Sequence, residues 1–147
     1  MRDESLKKSR FFIRKSIMKS ENKLGRRGVS ITSGKIVSDQ TFGFWVSLFL
    51  AHHFRLIRGQ PIQIFKHKPT IENRASIYRK LDEIREFRNR VNQCEPICFD
   101  GPNINCSSPL YIHSTLYDLV KWMEPDLIPF FVSIDNIQNK VNNIMQI

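Results

Sequence analysis

Residues 85–97 read REFRNRVNQCEPI and hold the side chains best suited to handling a phosphate: Arg88, its neighbour Asn89, and Gln93 five positions on. A guanidinium stays charged in any protein environment and matches a phosphate with two parallel hydrogen bonds. Arg88 also falls on the stripe Ile77, Leu81, Ile84, Arg88, Val91, whose other four members are aliphatic. A charge on an apolar helix face is costly unless a partner or a ligand satisfies it. Two explanations stand side by side: an anion site, or a carboxylate partner, for which Glu95 is the nearest candidate. Arg90 has its own expected partner in Glu86, at the favourable i, i+4 spacing.

Five helical residues turn the chain by about 140°, so Arg88 and Gln93 cannot share one face of a straight helix. Either the last turn distorts before Pro96, or the two side chains meet across a two-fold axis. Gln93 brings a further limit, because an amide donates and accepts hydrogen bonds but does not titrate near neutral pH. Imidazole does, and the chain has four candidates in His52, His53, His67 and His113. His52 and His53 read as one core and one edge residue of a buried helix. Cys94, Cys98, Cys106 and His113 have gaps that fit no common zinc site, so neither a metal nor any other cofactor is expected. A lone thiol such as Cys94 without a neighbouring base is usually inert.

The net charge is +9, and residues 1–35 hold 11 Lys and Arg against 3 Asp and Glu. Such a basic segment concentrates phosphate-bearing partners or anionic membrane surface, although a solvated basic helix is an equally weighted reading. Lys7, Lys8, Arg10, Arg14, Lys15, Arg26 and Arg27, with Arg85 farther on, are the candidate phosphate contacts. The three cysteines form no disulfide framework, and the opening MRDESLKKSR lacks the apolar centre of a signal peptide. The run FGFWVSLFLA falls far short of the ~20 residues that span a bilayer, so no membrane partner is expected and the cytoplasm is the expected location.

The spacing predicts a basic amphipathic helix over residues 5–24, with Gly25 at its C-cap, and then a loop at SITSGK. KIVSDQTFGFWVSLFLAHHFRLI reads as one continuous, largely buried helix in which Phe42, Phe44, Trp45 and Phe49 pack the core. A third helix capped by Thr70 runs to about Cys94 and is stopped by Pro96. A fourth covers about 111–123 and a last stretch passes through Ile137, Val141 and Ile144. The expectation is an all-α bundle of four to five helices forming one compact domain, with the basic helix at 1–24 and the main helical domain at 25–147.

FGFWVSLF, LDEIREFRNRV, EPI and WMEPDL, in this order and spacing, resemble the Abi-like (abortive infection) family of the HEPN superfamily over roughly residues 20–130. The resemblance implies a HEPN-like helical fold, a phage-defence role, and metal-independent cleavage of RNA at a site shared between two copies of the chain. It also implies a further helical segment upstream that this chain is expected to lack. The family motif resembles RNRxAHHEP and contains the superfamily's Arg-x4-His ribonuclease signature. Arg88, Asn89, Arg90, Val91, Glu95 and Pro96 match it, while its two histidine positions hold Gln93 and Cys94. In that family histidine moves protons and arginine steadies the charge on phosphorus. The resemblance therefore implies an RNA-binding homodimer with a degenerate catalytic site. An active endoribonuclease using another proton donor, and a non-catalytic partner in a defence or toxin–antitoxin system, are the alternatives.

Overall fold

The computed structural model describes residues 12–146. Among these residues the architecture is all-α, with eight α-helices and a single two-stranded hairpin. The count exceeds four to five because the expected long second helix is three short ones, α2 (Ser33–Ser38), α3 (Phe42–Ser47) and α4 (Ala51–Leu56), and because the last stretch is two, at Ile128–Ile134 and Ile137–Ile144. The breaks lie at residues that hydrogen-bond their own backbone. Thr41 is extended and its hydroxyl accepts from the Phe44 N–H, starting α3 afresh. Leu50 is extended, and the Ser47 carbonyl takes the Leu50 N–H at 3.0 Å in a tight turn and also accepts from His53 Nδ1 at 2.9 Å. Ser33, expected in a loop, opens α2 behind the Thr32 cap.

The chain divides into two compact units, one ending at Pro61 and the other beginning at Ile62. In the first, α1 (Phe12–Arg26) buries Ser20 and Leu24 on the stripe that begins with Ile13 and Ile17. Ser20 accepts from Gln40 Nε2, and Lys23 pairs with Asp39 just past α2. The basic helix is thus part of a core-bearing unit and not a free arm. Its cap is Gly28 and not Gly25: Gly28 has φ +63°, its N–H bonds the Gly25 carbonyl, and Val29 N–H reaches back to Leu24. Phe44 and Phe49 are buried as expected, but Trp45 is 39% exposed, its ring set edge-on to Phe44.

In the second unit, α5 (Arg74–Asn92) and α6 (Ser107–Met123) run antiparallel. Tyr111 donates to Glu83 at 2.8 Å, and the Lys80 ammonium lies over the Trp122 ring. The α5 cap is Asn73 and not Thr70, because Asn73 and Ser76 form a reciprocal capping box. Ile77 and Ile84 are buried on α5, and Pro109, Ile112, Thr115, Leu119 and Trp122 on α6, both at helical spacing. Between the two helices the hairpin Phe99–Asp100 with Asn103–Ile104 turns at Gly101, whose φ is +57°. A 3-10 turn at Pro125–Leu127 then leads into α7 (Ile128–Ile134) and α8 (Ile137–Ile144).

As expected from Pro96, α5 ends between Val91 and Pro96, but it is closed by the backbone before the proline is reached. Cys94 takes φ +56°, its N–H bonds the Val91 carbonyl, and Glu95 N–H reaches the Arg90 carbonyl at 3.0 Å. Left-handed backbone costs a residue with a Cβ roughly 1–2 kcal/mol, part of which glycine returns as unfolded-state entropy. Cys94→Gly is therefore expected to stabilise the chain by about 0.5–1 kcal/mol. The check is a rise in the urea midpoint with an unchanged slope; a lower midpoint would mean that the thiol, not the backbone, matters there.

Candidate functional site

The stripe that placed Arg88 toward a core is buried only at Ile77 and Ile84, with Leu81 half-buried. By Val91 it is 46% exposed, and Arg88 itself lies at the surface. The expectation of an apolar environment is corrected here: core contact ends before the last turns of α5, so the guanidinium has no burial penalty to offset. Arg88 makes no hydrogen bond or ion pair among the described residues. Glu95, its candidate partner, instead holds Arg90, with Nε to Oε2 at 3.2 Å, while Arg90 Nη2 donates to the Pro96 carbonyl at 2.8 Å. Arg90 is thereby taken up in stapling the helix end and does not pair with Glu86. Glu86 lies instead 3.7 Å from Arg85.

Arg85 is placed differently from the other basic candidates. Its guanidinium contacts Asp82 through Nε at 2.8 Å and Nη2 at 2.6 Å, and the side chain is mostly buried. Its charge is already answered by two carboxylates. Asn89 and Gln93 are exposed, and Gln93 N–H still bonds the Asn89 carbonyl at 3.0 Å in the regular i to i−4 manner. That N–H is shared with the Arg90 carbonyl at 3.2 Å, and at Gln93 itself, with φ −91° and ψ 6°, the chain leaves the helix. On regular helical winding Arg88 and Gln93 stand about 140° apart.

On α1 the residues Lys15, Lys19, Asn22, Lys23 and Arg26 recur every three or four positions, and with Arg27 they line a groove of about 620 Å³. Lys23 is committed to Asp39, whose carboxyl is held below its usual range by that lysine first and by Ser20 next. Lys15, Lys19, Arg26 and Arg27 are exposed, and none of their side chains has a hydrogen bond or ion pair among the described residues, although the Arg27 charge also lowers the Asp39 carboxyl a little. Arg14 is also exposed but lies on the neighbouring flank of α1. Lys7, Lys8 and Arg10 lie outside the described residues.

The histidines separate by environment. His53 is fully buried, and burial, with His53 and Arg55 adding, holds His52 below the usual imidazole range. His113 has partners that spacing did not reveal. Its Nε2 lies 2.6 Å from Asp135 Oδ2, which also accepts from the Tyr117 hydroxyl at 2.8 Å, while Oδ1 takes the Ile137 N–H. The available signals were the i, i+4 pair His113 and Tyr117 and an Asp–Asn dipeptide just before α8. The arrangement ties the start of α8 to α6. The Ile137 N–H and then Tyr117 hold the Asp135 carboxyl below its usual range, with His113 contributing less. Because the folded pKa is the lower one, this stabilisation is complete above roughly pH 4–5 and is lost as pH falls through the folded value. Asp135→Asn is expected to be less stable than the parent at pH 6, with the gap closing toward pH 3 in paired denaturation curves. A gap independent of pH would assign the effect to packing alone.

Burial and the neighbouring Cys106 thiol push the Cys98 thiol up, away from thiolate reactivity. Among the described residues no group of three or more His, Cys, Asp or Glu is arranged to hold a metal ion, and no helix is long and apolar enough to cross a membrane. Comparison of the chain with protein-family models, curated proteins and solved structures finds no match.

Proposed function

We propose that this chain is an abortive-infection-type protein of the HEPN kind that binds RNA and carries a degenerate ribonuclease site. The observation that carries the reading is the face of α1, where Lys15, Lys19, Arg26 and Arg27 stand exposed along some 16 Å of helix, none of them in an ion pair among the described residues and only Arg27 close enough to Asp39 to act on its carboxyl. Cations left unanswered by protein carboxylates are available to phosphates, and a row of them follows a strand's backbone without regard to base identity. Arg88, exposed and without an ion pair among the described residues, supports a second phosphate contact. The resemblance of the RNRV segment to the family motif supports reading that contact as a former reaction centre, with Asn89 beside it and Gln93 in the place of the proton-transfer histidine.

In this reading the ribose 2′-hydroxyl of bound RNA lies near Arg88 with no group able to take its proton, so the chain holds RNA and cleaves it weakly or not at all. A homodimer brings Arg88 of one copy toward Gln93 of the other. The test is binding of a mixed-sequence, single-stranded RNA across a salt series, with product analysis on the same samples. Salt-dependent binding without products is expected. Rapid cleavage by the parent would favour an active endoribonuclease.

One observation favours a different reading. Helix α7 has no buried residue, and Phe130, Val132 and Ile134 are each about 60% exposed. A helix that is apolar and uncovered suits a protein partner, as in a defence or toxin–antitoxin pair. Absence of RNA binding at low salt would leave that reading in place.

A further inference from the structure

The opposite flank of α1 has another character. Ile13, Ile17, Met18, Leu56 and Ile57 line an open groove of about 610 Å³ between α1 and α4, with Arg14 and Glu21 among its polar members. That size lies within the ~300–1,000 Å³ of small-molecule sites. Its lining includes His53, which is fully buried. The His53 Nδ1 faces the Ser47 carbonyl at 2.9 Å. A carbonyl only accepts, so Nδ1 carries a proton, and in the neutral ring Nε2 is then a bare acceptor. That Nε2 has no hydrogen-bond partner among the described residues, nor does the Nε2 of His52 next to it. A buried acceptor left unmatched costs about 1–3 kcal/mol, which a ligand bringing an N–H donor would recover.

Met18 belongs to both grooves, so this apolar site and the cationic row lie on adjoining flanks of one helix. A ligand that is at once polyanionic, flat and apolar on its faces, and equipped with N–H donors is a single-stranded nucleic acid. We infer that the groove between α1 and α4 receives one unstacked base of the RNA strand whose phosphates lie along Lys15, Lys19, Arg26 and Arg27. The faces of the base pack on Ile13, Ile17 and Ile57, Arg14 is placed for the flanking phosphate, and an amino or imino N–H of the base donates to His53 Nε2. Nε2 is buried, so a base reaches it only by displacing side chains on entry. Met18 is unbranched and half-exposed, and Leu56 is 71% exposed, so these two can move at little cost.

This inference rests on the RNA-binding reading, and the experiment separates the two. Affinities are measured for a mixed-sequence oligoribonucleotide and for an abasic oligomer of equal length, at several salt concentrations. The base-bearing strand is expected to bind about tenfold more tightly, within the usual range for one seated base. Ile17→Gln, on the face the base packs against, should remove most of that preference and leave abasic binding within twofold. His53→Phe should do the same if it folds; Ile17→Gln, at a half-buried position, does not depend on that. Equal affinity of the two strands, with ordinary salt dependence, overturns the base site and leaves the cationic row standing. Failure of both strands to bind overturns the inference together with the reading beneath it.

Discussion

Gln93→His is expected to raise RNA cleavage by up to about 10²–10⁴, the usual range for one positioned acid–base group. Gln93 is exposed at the C-cap of α5, so the substitution adds imidazole without touching the core. The gain should vanish in Arg88→Ala, since both groups would act on one phosphate and their effects should not add. The 140° offset adds a sharper requirement. In the proposed homodimer the two side chains would meet only between copies, so mixing the parent chain with the double variant Arg88→Ala, Gln93→His should create activity that neither has alone. A gain that persists in a strictly monomeric sample would refute the shared site. Cys94→His is the second variant; histidine tolerates left-handed backbone better than most residues, so that position can accept it. A gain from Cys94→His alone would shift the assignment by one residue. Inactivity of both, with fold and dimer intact, would favour the interaction-protein reading.

Neutralising Lys15, Lys19, Arg26 and Arg27 together is expected to be the other large change. Each phosphate contact on a single strand contributes about −0.7 to the slope of log affinity against log salt, so four contribute about −2.8. Over a fourfold rise in salt that is roughly a 50-fold loss of affinity in the parent, and the quadruple glutamine variant should lose this dependence. Arg85→Gln is expected to leave the slope unchanged and to lower stability instead, because Arg85 is engaged by Asp82 and Glu86. A variant retaining the parent's slope would return α1 to ordinary solvated surface.

The helical class, the C-terminal ends of α5 and α6 and the basic face of α1 were legible in the chain, whereas the starts of α5 and α6 were not. Each legible feature follows from interactions within a few residues: aliphatic spacing along one face, a proline that bars helix at its neighbour, and charges repeating every three or four positions. The breaks around α3 were legible in principle, since Thr41 and Ser47 compete for local backbone bonds. The apolar run FGFWVSLF outweighed them because hydrophobic content alone does not distinguish one buried helix from two short ones.

What the sequence determined by itself, then, is where backbone hydrogen bonds close locally and which side chains can carry charge near neutral pH. Tertiary structure decided which of those charges are available. It placed Arg88 past the end of the buried stripe, gave Glu95 to Arg90, enclosed Arg85 between two carboxylates, and set Asp135 against His113 from 22 residues away. None of these follows from helical periodicity, because periodicity fixes the angle of a side chain around its own axis but not where the neighbouring element stops. Charge availability depends on that stopping point, since a carboxylate a few ångströms away or a shell of water decides whether a guanidinium is answered or free.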